Sequence, residues 1–236
     1  MIAGRLREYG GMNILGNKYI EDCRTFPGDA IVAFRLQGSR GVWDALRQRT
    51  IDRIVASGHV MIFAQTLDSA PEVPAPPGVL LRPLTREDWP ALATIVTQRD
   101  LRRFSALLTA GRHAVVAWRG SQPIGYGWVA ECLGPDVTVC PLAMPADAAY
   151  LWDLYVIPSE RRSGVGSALA SARIRIAKNC GFSEGWRMIA PENAPSLRTL
   201  AKTANHTRKI GELRFIKILS RVYFRFTAAA IPGGRV

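Results

Sequence analysis

From residue 79 onward the hydrophobic and polar positions alternate between two periods. Residues 150–157, YLWDLYVI, form a run of apolar, aromatic and β-branched side chains that predicts a strand. The next segment, 163–180, has the small and apolar spacing of a helix. Upstream, 79–84 predicts a strand, and Thr85 opens a helix, with Asp88 three residues on at its positive end. A second short helix is expected over 101–110. Residues 113–119 and 123–132 are β-rich on either side of the turn RGSQP and predict a hairpin. A further strand is expected over 137–142, then a strand over 186–190 and a helix over 194–204. The stretch 211–226 has basic residues at 214, 217, 221 and 225, a helical spacing that would suit a membrane surface. Its Ile216, Ile218, Val222, Tyr223, Phe224 and Phe226 favour strands instead, with Arg and Lys on the exposed face. The resulting order, β-α-α-β-β-β-β-α-β-α-β-β, is that of a mixed α/β domain.

Before residue 79 the pattern weakens. Residues 41–58 carry Val42, Ala45, Leu46, Ile51, Ile54 and Val55 at roughly helical spacing, with Gly58 where a helix would stop. Residues 59–67 then predict a strand. Between this part and the rest lies DSAPEVPAPPG, with four prolines in eleven residues. Proline fixes φ and lacks an amide donor, so neither a helix nor a central strand continues through it. The expected organisation is an N-terminal extension over 1–68 that packs on the main domain, a linker over 69–78, the domain over 79–228 and a flexible tail over 229–236.

Composition narrows the class. With 48% hydrophobic and 21% charged residues the chain can bury a core. No run of eighteen apolar residues is present. The first residues lack the apolar stretch of a signal peptide, which leads to the expectation of a cytoplasmic protein. Cys23, Cys132, Cys140 and Cys180 form no CxxC pair and are expected as reduced thiols; the three histidines are scattered, and no metal site is expected. The net charge of +12 attracts anions, among them nucleic acid, anionic lipid, an acidic protein or a phosphorylated co-substrate. Charge alone does not choose among them, although no aromatic RNA-binding signature is present, and neither a nucleic acid nor a membrane is expected as partner.

The segment PSERRSGVGSAL, 158–169, makes the choice sharper. A basic, glycine-spaced turn between a strand and a helix is suited to phosphate, because the first amides of a helix have no intrahelical partner and the helix dipole adds positive potential there. A Walker loop would need GxxxxGK[ST], and a dinucleotide fingerprint would need a glycine where Leu169 stands. What fits is R-x-x-G-x-G, with Arg161, Gly164 and Gly166. This resembles the cradle motif of the GNAT superfamily of acyl-CoA-dependent N-acyltransferases. The likeness extends over about 79–226: PIGYGWVAE is similar to the family's third strand, 150–181 to its fourth strand, cradle and third helix, and PENAPSLRTLAK to the start of its next helix.

The resemblance implies a GNAT-like mixed α/β fold in which two central strands splay apart, and a transfer of an acetyl or other acyl group from acyl-CoA to an amine. It implies backbone binding of the pantetheine arm around Leu154, Tyr155 and Val156. The pyrophosphate would be wrapped by Arg161, Arg162, Ser163, Gly164, Val165, Gly166 and Ser167, with Asn193 at the next helix start. A carboxylate would take the amine's proton, either Glu131 at the end of the third strand or Asp153 on the fourth. Strand alternation puts Asp153 and Tyr155 on one face, Trp152 and Leu154 on the other. The sequence departs from the family at Leu200, where many members carry a tyrosine that protonates the departing thiolate. Ser196 or water is left for that role, or no dedicated acid, since a thiol is itself fairly acidic. The alternative is a module that binds CoA or a partner and catalyses little. The extension could serve as a lid or a homodimer surface, and the acceptor is not encoded in any motif.

Overall fold

The computed structural model describes residues 55–134, 137, 142–218 and 221–229, together with positions 30, 31, 34, 35, 38–43 and 46, which are helical. Eight strands form one sheet: β1 (Val55–Thr66), β2 (Val79–Pro83), β3 (His113–Arg119), β4 (Gln122–Ala130), β5 (Ala148–Val156), β6 (Glu184–Ile189), β7 (Thr207–Ile218) and β8 (Arg221–Ala228). Their order across the sheet is β2-β3-β4-β5-β6-β1-β7-β8. Every pairing is antiparallel except β5 with β6. Helices α1 (Trp89–Leu92), α2 (Gln98–Thr109), α3 (Val165–Asn179) and α4 (Ala194–Thr203) cover the two faces. None of the described helices is long and apolar enough to cross a membrane.

The mixed α/β class is as expected, and local chemistry sets most boundaries. Thr85 and Asp88 form a capping box, the Asp88 carboxylate accepting from the Thr85 amide at 2.9 Å. The turn is first 3-10 over Arg86–Asp88 and becomes α1 only at Trp89. Thr97 and Asp100 make a second capping box, so α2 starts three residues before the expected 101. On one face, Phe104 of α2 packs against Tyr126 and Trp128 of β4, ring centroids 5.0 Å away in each case. On the other, α3 buries Ala168, Leu169, Ala172 and Ala177, and these mostly small side chains let the helix lie close to the sheet.

The chain departs from expectation in the N-terminal part. Gly58 ends no helix: it lies within β1, opposite Phe215 of β7, whose ring a Cβ would strike (Cζ at 2.7 Å). β1 is an interior strand, bonded to β6 on one side and β7 on the other, so residues 55–66 belong to the sheet of the main domain rather than resting on it. The helical positions further upstream leave Ile31, Phe34 and Trp43 more than half exposed (55%, 60% and 58%). The proline-rich segment is held in place: the Val73 amide donates to Ser171 Oγ of α3 at 3.0 Å.

The expected strand over 137–142 is absent at its two described positions, Val137 being in a turn and Leu142 in no regular element; its other residues, like 230–236 of the tail, lie outside the described ones. The last hairpin is formed as strands. Leu213 of β7 is buried and Phe215 and Val222 pack against the core, but on the edge strand β8 Tyr223, Phe224 and Phe226 are exposed alongside Arg221 and Arg225.

Candidate active site

Two features of β5 make an opening in the sheet. Its parallel pairing with β6 runs from Ala148 opposite Glu184 to Tyr150 opposite Trp186 and goes no further, although β5 continues to Val156 and β6 to Ile189. The strands part at that point. Within the parted stretch, the register of β5 against β4 shifts between Tyr126–Tyr155 and Trp128–Trp152, so Asp153 and Leu154 together face Gly127. This is a β-bulge, and Asp153 sits at its turn with φ +47°. Few residues other than glycine accept that region, and aspartate is one of them.

The bulge corrects the simple alternation expected along β5. Trp152 stacks near Trp128 (5.7 Å) and Tyr155 near Tyr126 (5.5 Å), so Trp152 and Tyr155 face the same side with the extra residue between them. Arg103 of α2 donates to Asp153 Oδ2 at 3.2 Å. Burial pushes the Asp153 carboxyl up from its ordinary value, while Arg103 pulls it down; the net direction is up. Tyr155 presents a hydroxyl with no hydrogen-bond partner, and burial raises its pKa against the pull of Arg161.

Arg173 of α3 supports the bulge from the opposite face. Gly127 leaves room for its stem, since a Cβ there would lie 2.7 Å from Arg173 Cδ, and Nη1 donates to the Trp152 carbonyl at 2.9 Å.

At the open end of β5 the chain makes a 3-10 turn, Pro158–Glu160, and enters α3. Arg119 of β3 clamps Glu160 with two bonds of 2.9 Å, fixing this turn to the sheet. The pair also lowers the Glu160 carboxyl below its usual range. Arg161 folds back so that Nε donates to the Val156 carbonyl at 3.1 Å, and Ser163 Oγ donates to the Glu160 carbonyl at 2.6 Å. Arg162 and Gly164 both have positive φ (+65° and +94°), which turns the chain sharply into the helix. Gly164 is the N-cap, and no side chain caps α3; the first intrahelical bond of the turn runs from the Ala168 amide to the Gly164 carbonyl. The Val165, Gly166 and Ser167 amides are thus left for an anion. The positive φ favours glycine at 164, and a Cβ there would also make a tight contact with Pro76 Cγ, at 3.3 Å.

The expected site residues divide accordingly. The structure brings Leu154, Tyr155, Val156, Asp153 and the cradle 161–167 to one end of the sheet. Glu131 does not join them: it follows the end of β4, exposed, beyond Ala130, which pairs with Tyr150 where β5 and β6 are still bonded. Glu131 thus stands at the end of β4 where β5 and β6 are still paired, and the bulge puts Asp153 nearer the opening. Asn193 is accounted for by its own helix, its Oδ1 accepting from the Ser196 amide at 3.2 Å. Ser196 stands in the first turn of α4. Leu200 is buried in the core. Sequence reasoning missed Arg103, Gly127, Arg173 and Arg187, whose importance depends on contacts between distant elements. Arginines within the apolar stretches RIRIA and GWRMI were the only available signal.

With this geometry in hand, comparison with known proteins is decisive for the family. The family model described as acetyltransferase (GNAT) family matches residues 79–204, more than half of the chain. The chain belongs to the GNAT family. No curated protein matches it. Among solved structures, a Drosophila protein is similar at 15% identity over 77% of this GNAT chain and 67% of its own, with a TM-score of 0.50. A Staphylococcus epidermidis protein of unknown function is 8% identical over 73% of this chain and 65% of its own, TM-score 0.47. The aminoglycoside 6'-N-acetyltransferase AAC(6')-Ih from Acinetobacter baumannii is 22% identical over 55% of this chain and 91% of its own, TM-score 0.43. The GNAT chain thus spans about two thirds of the first two proteins' lengths.

Proposed function

We propose that this GNAT protein transfers an acetyl or other acyl group from acyl-CoA to a primary amine by direct attack. The observation that carries the reading is the uncapped, left-handed start of α3 at the end of a strand that has parted from its neighbour. The amides of 165–167, with Arg161 and Arg162 beside them, suit a pyrophosphate. The free edge of β5 around Leu154–Val156 suits the amide groups of a pantetheine arm. CoA supplies the activated thioester. Asp153 takes the proton of the attacking amine, directly or through water; its carboxyl, raised by burial, has a proton affinity nearer that of the base this step needs. A backbone amide at the bulge polarises the thioester carbonyl. The amine nitrogen bonds to the carbonyl carbon as the carbon–sulfur bond breaks, and the departing thiolate takes a proton from water or from Ser196.

A second reading, a CoA-binding module with little catalysis, has one observation in its favour: Leu200 occupies the place of the family's acid and is buried in the core. Calorimetric titration with acetyl-CoA, followed by thiol release with a panel of amines, separates the two. Saturable binding with turnover well above thioester hydrolysis supports the transferase. Binding without turnover supports the module, and no binding at millimolar acetyl-CoA in a folded sample overturns both.

A further inference from the structure

Two arginines beside the opening are almost wholly buried, Arg173 with 3% and Arg187 with 4% of its surface exposed. Arg187 is the first residue of β6 beyond its last pair with β5. It faces the side of the sheet that carries α4, since its Nη1 donates to Thr203 Oγ1 at 3.3 Å. Arg173 comes from α3 on the same side and reaches the Trp152 carbonyl, the second position of β5 beyond that last pair. The two guanidinium groups therefore flank the base of the opening.

Neither group is satisfied. Arg173 Nε, Arg187 Nε and Arg187 Nη2 are buried without a hydrogen-bond partner. The carboxylate acting on Arg173 is Asp153, which is already paired with Arg103, and the charge acting on Arg187 is that of Arg173, which repels it. Burial and this repulsion push Arg187 well below the usual guanidinium value, and burial takes Arg173 down to about 10. The unpaired acceptor on this face, Gln65 Oε1, is neutral and balances no charge. A buried cation without a counter-ion, as at Arg187, is costly, and a planar fork of N–H donors matches a carboxylate.

We infer that Arg173 and Arg187 bind a carboxylate carried into the opening by a substrate. This rests on the reading of the opening as the acyl-CoA cleft. The carboxylate has two possible sources: the far end of a dicarboxylic acyl group on CoA, or the carboxyl group of an amino-acid acceptor.

The test uses the full chain and compares pairs that differ by one carboxylate. Succinyl-CoA is titrated against acetyl-CoA by calorimetry, and an α-amino acid against its decarboxylated amine in the presence of CoA. At least a tenfold tighter binding is expected for the carboxylate-bearing member of one pair, and which pair shows it identifies the source. In Arg187→Met the preference falls to within about twofold of unity, binding of unmodified CoA is kept, and the melting temperature without ligand is unchanged or higher, because an uncompensated buried charge has been removed. Should the Met variant fail to fold, Arg187→Lys, which keeps the charge and loses the fork, is expected to reduce the preference at least threefold. Wild-type protein that binds CoA with no carboxylate preference in either pair overturns the inference; wild-type protein that binds no CoA overturns instead the reading of the cleft. A preference that survives unchanged in both variants also overturns the assignment to Arg187.

Discussion

Asp153 occupies a backbone conformation that costs energy, in a position where its ionisation costs more. Both follow from the bulge, which holds φ at +47° and draws the carboxyl inward, with Arg103 as its counter-ion. If Asp153 is the base, activity is present above its raised pKa and is lost as pH falls through it. Asp153→Asn is expected to lower turnover by about 10²–10⁴-fold with acetyl-CoA affinity unchanged. Arg103→Ala removes a group that pulls the carboxyl down, so the acidic limb of the pH–rate profile is expected to move to higher pH. Glu131→Gln is expected to leave both turnover and limb as they are. Stability gives an independent readout. A carboxyl raised in the folded state binds its proton more tightly there, so its ionisation opposes folding as pH rises through the window between the ordinary and raised values. Asp153→Asn is therefore expected not to lower the melting temperature at neutral pH; a large drop there would make Asp153 a structural residue.

At the scale of elements, two turns determine whether the site exists. The start of α3 depends on the left-handed Gly164. Gly164→Val is expected to cost about 1–2 kcal/mol of stability from that conformation alone and to weaken CoA binding at least tenfold by displacing the first amides. Gly166→Ala is the contrast, because a Cβ there meets Val156 Cγ2 at an ordinary 3.8 Å; it is expected to fold as the parent does. Thermal melts and calorimetry on the pair check both statements. The start of the first helical turn depends on Asp88, which accepts from Arg82 at 2.9 and 2.6 Å and from the Thr85 amide at 2.9 Å. Burial alone would raise its carboxyl, but the Arg82 and Thr85 bonds prevail and its pKa is lowered. Its contribution is thus present above the ordinary aspartate value and lost as pH falls through the lower folded one. Asp88→Ala leaves Arg82 and an amide without their acceptor and is expected to cost about 2–3 kcal/mol, roughly 5–10 °C in melting temperature for a chain of this size.

For the whole molecule, the order of the strands matters more than their number. β1 lies between β6, which forms one wall of the opening, and the β7–β8 hairpin. Removing residues 1–68 would delete β1, leave two unpaired edges in the middle of the sheet, at β6 and β7, and uncover Leu213, now 1% exposed. Such a truncation, starting just before the proline-rich segment, is expected to show no cooperative thermal transition and no CoA binding. A truncated protein that melts cooperatively and binds CoA would show that β1 is dispensable.

What the sequence by itself determined is whatever depends on neighbours a few residues apart. The glycine turn at 161–166, the helix after it, the hairpin around RGSQP and both helix starts near Thr85 and Asn193 are local: period, capping chemistry and turn residues are enough to specify them. The motif at the start of α3 was legible for the same reason. Tertiary structure alone decided the rest. Gly58 looks like a helix stop until β7 is placed beside it, and residues 55–66 become an interior strand because β6 and β7 offer two edges to pair with. The extra residue in β5 has no local signature; it arises from the register against β4 and from Gly127 admitting Arg173. That bulge separates Asp153 from Glu131 as candidate bases, and the parting of β5 from β6 sets two buried arginines on either side of a cleft. Each of these depends on elements far apart in the chain meeting at a given register, which no short window of sequence contains.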